Sequence, residues 1–364
     1  MLFNGPPNGA KFTLDKEILE IVDTHKYLGI TLTSKYVTNL YRKHFEYITE
    51  KARTKSAIIS RHGFHEDGLR WQTAIKLYKL VIRPTLEYCA QTLSYSRYSQ
   101  SSPLEHPSGF AKDLEHLQTQ ILKNLINCPR STSPSVVRLF CGVEPLACRL
   151  EMLKLRYFWK TLKTPAGLVT SKILKHRMDN FLEHNKGFAH EAFNICCKYN
   201  VLHLWHGNAA NHKNPLLAIR RIIIAQNLRK DFEIGRTKKC SFAKIFLSDP
   251  NFHQKNYQLP ETFRQPDCFE TPIERKKVVK AILHPCSYEQ NCDLCDDSYK
   301  DKFHHFLTSC PRLTGYRKEL YLRLTFYSFP KDLFPMNKTQ FLERVLGHKK
   351  WRCCLAKFLT DTDF

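Results

Sequence analysis

Four residues near the end of the chain have the types and spacing of a metal site. Cys292, Cys295, His305 and Cys310 form the pattern C-x2-C-x9-H-x4-C. Two cysteines separated by two residues can bind one ion from a tight turn, and a later histidine and cysteine complete the tetrahedral ligand set that zinc prefers. Because protein side chains would fill all four positions, the pattern predicts a structural zinc site rather than a catalytic one.

Two neighbouring residues leave alternatives for the ligand set. His304 competes with His305, and we favour His305 because Phe306 and Leu307 would then begin a helix that packs inward. Cys286 lies upstream and could replace one of the cysteines. The competing interpretation, free cysteines in a loop, is less favoured because the candidate ligands fall so close together.

Asp296 and Asp297 lie between the two halves of this pattern. Adjacent carboxylates can belong to a polymerase metal site. Here they follow Leu294 and Cys295 in a loop rather than in a β-hairpin turn, so we predict solvated loop acids.

The charge of the chain indicates a polyanionic partner. The net charge is +23, and nucleic acid is the first candidate at such a value. A basic surface with no specific ligand is the alternative. No stretch of about eighteen apolar residues occurs, so we expect no membrane span. An acidic membrane surface is possible as a partner, but the basic residues are spread over many segments and do not form one juxtamembrane run. Residues 1–12 do not resemble a secretory signal, and most of the 14 cysteines fit a reducing compartment.

Hydrophobic periodicity predicts a mainly α-helical chain with one N-terminal β-hairpin. Strands at 18–22 and 26–32, joined by Asp23-Thr24-His25, would form the hairpin, which needs a sheet to join because a lone hairpin is marginal. Tyr41, Phe45, Ile48, Ala52 and Ile59 mark a first helix that ends at His62-Gly63. A second helix is predicted at 69–82, where Pro84 would prevent it from continuing. Further helices are predicted around 114–125, at 134–142 and after Pro145.

The same pattern suggests four regions. Residues 1–34 form the hairpin and residues 35–165 a helical bundle. Residues 166–270 read as a helical linker region of unknown role, with a clear helix only at 216–227. Residues 271–364 contain a basic helix after Pro272, the zinc knuckle and a C-terminal amphipathic helix at 339–359, whose apolar residues include Phe341, Val345, Leu355 and Phe358.

The order of these motifs resembles the C-terminal region of reverse transcriptases from LINE-type, non-LTR retrotransposons. Lys26-Tyr27-Leu28-Gly29 is similar to the hairpin that closes the palm and grips the primer end in that family. Residues 44–57, Leu77-Tyr78 and Ile82-x-Pro84-x-Leu86-x-Tyr88 are similar to its helical thumb. Leu117-x3-Ile121-Leu122, Pro134 and 142–146 follow in the same order, and Cys292 to Cys310-Pro311 resembles its CCHC knuckle. The resemblance covers roughly residues 20–165 and 276–320.

The resemblance implies contact with RNA or DNA but no polymerase activity in this chain. The catalytic aspartates of that family precede the Tyr-Leu-Gly hairpin, and no aromatic-x-Asp-Asp sequence occurs here. We therefore expect that the chain is not itself an enzyme. The nucleus is the compartment that the family implies.

Two basic clusters are the predicted phosphate contacts. The predicted phosphate-binding residues are Lys43, Lys51, Arg53 and Lys55 in the first cluster, and Arg275, Lys276, Lys277 and Lys280 in the second.

Tyr299 and Phe303 are candidates for stacking on bases, although Phe303 could equally belong to the core of the knuckle.

Three interpretations follow, in this order of preference. The first is a nucleic-acid-binding remnant of a retroelement. The second is a subunit that completes a polymerase whose palm lies on a separate polypeptide, which would supply the sheet that the hairpin lacks. The third is a protein interaction module that uses zinc and the terminal amphipathic helix.

Overall fold

The computed structural model describes residues 13–18, 22–33, 41–63, 71–93, 110–165, 167–179, 187–204, 215–238, 247, 272–283, 290–299, 301–330 and 338–362. The chain is mainly helical, as predicted. Its helices are α1 (Arg42–Gly63), α2 (Trp71–Leu77), α3 (Arg83–Glu87), α4 (Phe110–Ile126), α5 (Pro134–Cys141), α6 (Leu146–Leu162), α7 (Val169–Asp179), α8 (Phe188–Lys198), α9 (Pro215–Arg236), α10 (Pro272–Leu283), α11 (Lys302–Thr308), α12 (Thr314–Phe326), α13 (Lys338–Gly347) and α14 (Lys349–Asp361). Its strands are β1 (Thr13–Leu14), β2 (Glu17–Ile18), β3 (Thr24–Tyr27), β4 (Ile30–Thr33), β5 (Gln290–Asn291) and β6 (Ser298–Tyr299).

The N-terminal hairpin turns at a different place from the one predicted. Strand β3 pairs antiparallel with β4, and Tyr27 lies opposite Ile30. Leu28 and Gly29 form the two-residue turn, with φ values of 46° and 80°. Two positive φ values match the turn type whose twist suits a tight hairpin. The prediction of a single strand over 26–32 was therefore wrong, because it placed this turn inside the strand.

The hairpin packs on helices rather than joining a larger sheet. Within the described residues every sheet has two strands. The Lys43 ammonium of α1 donates to Thr24 Oγ1 at 2.9 Å, and the Tyr88 hydroxyl donates to the Leu28 carbonyl at 2.8 Å. Ile30 packs against the main hydrophobic core. The expectation that the hairpin needs a sheet was wrong, since α1 and the segment after α3 support it.

Pro84 does not end the second helix. Helix α2 continues through a π-helical turn, Tyr78–Ile82, directly into α3. Pro84 lies in the first turn of α3, where its missing N–H costs least. Tyr78 and Ile82 are fully buried. The predicted interruption was wrong because the π turn accommodates the proline within a continuous helix.

One hydrophobic core unites the helices of the N-terminal bundle with the C-terminal helices. It includes Phe45 of α1, Leu122 of α4, Ile282 of α10 and Leu355 of α14. The Thr132 hydroxyl donates to the carbonyl of Leu283 at 3.2 Å and links the loop before α5 to the end of α10. The C-terminal region therefore packs as part of the bundle.

The predicted amphipathic helix at 339–359 is two helices. The backbone leaves the helical region at His348, between α13 and α14. All four predicted apolar residues are buried in the main core: Phe341, Val345, Leu355 and Phe358.

Residues 167–204 and the first half of α9 contribute to a second core, whereas Leu228, Phe232 and Leu247 lie in the first core. Helices α7, α8 and α9 pack on α6, burying Phe158, Ile195 and Ile223 together. Helix α6 contributes to both cores, because Leu150 lies in the first and Leu155 in the second. Helix α9 also extends beyond the predicted range of 216–227, to Arg236.

Buried ion pairs tie the helices together, and the contacts of Lys154 connect the two cores. Arg138 of α5 donates to Asp231 of α9 and, at 3.0 Å, to Glu115 of α4. Lys154 of α6 is buried against Glu191 of α8 and donates to the Leu93 carbonyl at 2.7 Å. Removing one partner of such a pair costs about 3–5 kcal/mol, because the other charge stays buried.

Replacing Gly29 with alanine tests the hairpin turn. Its φ of 80° is costly for any side chain, and a Cβ would lie 2.7 Å from the Tyr88 hydroxyl oxygen. We expect Gly29→Ala to destabilise the docked hairpin by about 1–2 kcal/mol, seen as faster hydrogen exchange at residues 24–33. Gly167→Ala is the control, since a Cβ there meets open space. Equal exchange in both variants would contradict the assigned turn.

His44 predicts a pH-dependent stability. The side chain is fully buried, and burial lowers its pKa below the ordinary value of 6.5. Above the pKa that His44 has in the unfolded chain, the imidazole is neutral in both states. As the pH falls below that pKa, the unfolded chain binds the proton more readily than the folded chain, so the folded state loses stability. Urea unfolding at about pH 7.5 and 5.5 should show a smaller loss of stability in His44→Gln than in the exposed control His116→Gln. Identical losses would refute this role.

Candidate metal centre and basic groove

The structure brings the four predicted ligands together. The ligand atoms of Cys292, Cys295, His305 and Cys310 all lie within 4.8 Å of one another. The Cys295 sulfur is 3.3 Å from His305 Nε2, and the Cys292 and Cys310 sulfurs are 4.0 Å apart. Within the described residues this is the one such group of cysteine, histidine and acidic side chains. The cluster could hold a metal ion.

A short β-hairpin positions the first two cysteines. Strands β5 and β6 pair antiparallel on either side of the turn. The Cys292 amide donates to the Asp297 carbonyl at 2.9 Å, and the Asp296 amide donates to the Cys292 carbonyl at 2.8 Å. Asp296 has a φ of 61°, which reverses the chain after Cys295. Asp296 and Asp297 are exposed in the loop between β5 and β6, which confirms the prediction of solvated loop acids, and their backbone groups close the turn around Cys292.

Helix α11 supplies the histidine. Asp301 caps the helix by accepting from the His304 amide at 3.1 Å. The helix therefore begins at Lys302 and not at Phe306, as was predicted. His305 is buried and faces the cysteines, whereas His304 is exposed and its Nδ1 lies 3.3 Å from the Thr308 hydroxyl. Cys286, the other alternative ligand, lies outside the described residues.

Side chains around the cluster hold its backbone in place. His305 Nδ1 lies 3.1 Å from the Ser309 hydroxyl, which leaves Nε2 facing Cys295. The buried guanidinium of Arg317 in α12 donates to the carbonyls of Phe306, at 3.2 Å, and Cys310, at 2.6 Å. Such outer contacts orient metal ligands.

Two of the four ligands, Cys292 and His305, favour the form that binds a metal, whereas burial raises the pKa of the Cys295 thiol. Burial alone would raise the pKa of the Cys292 thiol, but hydrogen bonds from the Leu294 and Cys295 amides and from the Cys295 and Cys310 thiols lower this pKa overall. Burial lowers the pKa of His305, which favours the neutral imidazole. Thiolate and neutral imidazole are the species that coordinate a metal.

The basic residues of α1 divide between two faces. Lys51 and Lys55 lie beside a groove between the hairpin, α1 and the π turn. Arg53 lies on the opposite side, in a second groove with Glu46, Glu50 and Asp113, and its guanidinium is 3.9 Å from Glu50. Lys43 bonds to the hairpin. The structure therefore does not bring the four predicted residues of α1 to one surface.

The first of these grooves, which we call the basic groove, has a volume of about 490 Å³. Its cations are Lys26, Lys51 and Lys55, and Lys55 donates to the Val81 carbonyl at 3.3 Å and to Thr85 Oγ1 at 2.7 Å. No carboxylate lines it within the described part of the chain. The lining residues are Lys26, Gly29, Tyr47, Ile48, Lys51, Lys55, Leu80, Val81, Pro84, Thr85 and Tyr88.

The second predicted cluster is less exposed than expected. Helix α10 buries Val278, Val279 and Ile282, and Lys277 and Lys280 are half-buried beside them. The side chains of Arg275 and Lys276 lie outside the described residues.

One candidate stacking residue lies in the main core, and the other packs on a predicted metal ligand. Phe303 is 1% exposed and lies in the main core, so it is not a stacking surface. The Tyr299 ring stacks on His305 with their centroids 5.3 Å apart.

The sequence interpretation missed three groove residues, Lys26, Tyr47 and Tyr88, as binding candidates. One signal was present, because Tyr47, Lys51 and Lys55 recur every four residues and therefore share a face of α1. The contribution of the hairpin and of Tyr88 depends on tertiary packing and had no local signal.

Comparison with models of protein families, with curated proteins and with solved structures finds no match to this chain. Within the described residues, no helix is long and apolar enough to cross a membrane.

Replacing Cys295 with serine tests the metal centre. A serine hydroxyl is a poor substitute for a thiolate ligand, so Cys295→Ser should reduce bound metal from about one ion per chain to a small fraction. Metal content after gel filtration, measured by mass spectrometry, checks this. His304→Ala is the matched control and should retain the metal. Loss in His304→Ala with retention in Cys295→Ser would overturn the assigned ligand set.

Proposed function

We propose that the chain is a nucleic-acid-binding protein related to the C-terminal region of non-LTR retrotransposon reverse transcriptases. The observation that carries the proposal is the basic groove, where Lys26, Lys51 and Lys55 converge beside two tyrosines. Lysine ammoniums can bind the phosphates of a nucleic acid, and aromatic rings in the same groove can stack on its bases. The net charge of +23 supports a polyanionic ligand.

The family relationship in this proposal rests on the order of motifs in the sequence. Lys26-Tyr27-Leu28-Gly29 and Pro84-x-Leu86-x-Tyr88, two of those motifs, contact each other through the Tyr88 hydroxyl and the Leu28 carbonyl. The proposal attributes no nucleotidyl transfer to this chain, since it contains no aromatic-x-Asp-Asp sequence.

We propose zinc as the metal of the cysteine and histidine cluster. Three sulfurs and one imidazole nitrogen are the ligand set of structural zinc sites. The cluster adjoins the main core, where Cys292 and Cys310 are buried. The role of zinc in this proposal is to stabilise the fold, not to take part in a reaction.

The two other interpretations lose part of their motivation. A separate polypeptide is not needed to support the hairpin, because α1 and Tyr88 hold it. The apolar residues of the terminal helices are buried in the main core, so they do not offer a surface for recruiting partners.

Nucleic-acid binding by the purified full chain tests the proposal. We expect binding to labelled RNA and DNA that weakens steeply as salt rises, because phosphate contacts release counterions. The same sample should contain about one zinc ion per chain. Fluorescence anisotropy over a salt series and elemental analysis provide the two measurements.

Removing zinc with a chelator separates the two parts of this proposal. Loss of helical circular dichroism together with binding would support a stabilising zinc ion. A folded, zinc-loaded chain that binds no nucleic acid at low salt would refute the proposed function while leaving the metal assignment standing.

A further inference from the structure

The basic groove has the size of a small-ligand site and not of a surface for a whole duplex. Its volume of about 490 Å³ falls within the range of pockets that enclose small organic molecules. The β3–β4 turn forms one wall through Gly29, α1 forms another through Tyr47 and Lys51, and Leu80 and Pro84 form the third. A nucleotide unit fits such walls, whereas a double helix would meet only their rims.

Two cations in the groove converge on one aromatic ring. The ammoniums of Lys26 and Lys51 each lie 5.5 Å from the centroid of the Tyr47 ring. Both ammoniums lie beside the same ring and add positive charge to one part of the groove, which favours an anionic ligand there. Lys26 comes from the hairpin and Lys51 from α1, so packing of the two elements creates this anion-attracting position.

The groove also exposes apolar and aromatic surface that a base can cover. Leu80 is 74% exposed, Tyr88 46% and Tyr47 44%. The faces of bases stack on such side chains regardless of sequence. In a duplex these faces are already stacked on neighbouring bases, so only an unpaired strand can use them.

The π turn places the apolar wall. Residues 78–82 keep Tyr78 and Ile82 in the core while Leu80 and Val81 face outward. Single π turns within α-helices are frequently found at functional sites. The Val81 carbonyl accepts hydrogen bonds from Lys55 and Thr85, which ties the turn to α1.

We infer that the basic groove binds a single nucleic-acid strand, with phosphates on Lys26 and Lys51 and a base on Tyr47, Tyr88 and Leu80. This inference rests on the proposed nucleic-acid binding and specifies its site and the form of its ligand. Lys55 holds the π turn and contributes positive charge to the groove floor.

Binding of the full chain to an unstructured single strand and to a duplex of equal length tests the inference. Tyr47→Leu removes the ring and should weaken single-strand binding roughly tenfold or more. It should leave the duplex affinity nearly unchanged. Tyr47→Phe keeps the ring and should bind like the unaltered chain.

The charge contribution is tested separately. Lys51→Gln should reduce the slope of log affinity against log salt for the single strand by about 0.7, the value for one phosphate contact. Arg61→Gln is the matched control, because Arg61 is an exposed cation of α1 that does not line the basic groove. It should leave this slope unchanged. Circular dichroism melting confirms that each variant is folded.

Three outcomes would overturn the inference. If Tyr47→Leu or Lys51→Gln weakens single-strand and duplex binding equally, the groove does not select an unpaired strand. If the folded variants bind like the unaltered chain while that chain binds nucleic acid, the site lies elsewhere and the proposed function survives. If the unaltered chain binds no nucleic acid, both fail.

Discussion

The fold of the C-terminal region, from α10 onward, depends on the packing of two predicted metal ligands, Cys292 and Cys310, into the hydrophobic core. Cys292 and Cys310 are buried among the same side chains that join α1 and α4 to α10 and α14. An ion bound to these sulfurs would fix the ends of a segment whose own strands are only two residues long. The binding free energy would therefore stabilise the shared core as well as the local turn.

The basic groove depends on the same hydrophobic core. Phe45, Ile48 and Ala52 of α1 are buried, which directs Tyr47, Lys51 and Lys55 outward. The hairpin adds Lys26 because Lys43, Tyr88 and the packing of Ile30 hold it against the helices. Binding chemistry thus arises where three elements meet, and none of them carries it alone.

Local signals in the sequence were sufficient for the metal cluster and for much of the bundle. The spacing of Cys292 and Cys295 can be recognised within one turn, and the helical periodicity of α1 and α4 reflects one buried face in each helix. The hairpin turn was misplaced because Leu28 adopts a positive φ, which its residue type does not announce. The second core was missed because α7 and α8 are short and bury their faces against α6. The groove combines distant segments, so the spacing of Tyr47, Lys51 and Lys55 predicted only the wall that α1 forms.

Arg138 imposes a pattern on how related sequences can change. Its guanidinium is shared by Glu115 and Asp231, which lie 23 and 93 positions away in the chain. A lineage that loses one carboxylate keeps a buried, poorly compensated cation, whereas simultaneous replacement by apolar residues can be neutral. These three positions should therefore covary among related sequences. An alignment of such sequences would then identify the contact between α4, α5 and α9 without a structure.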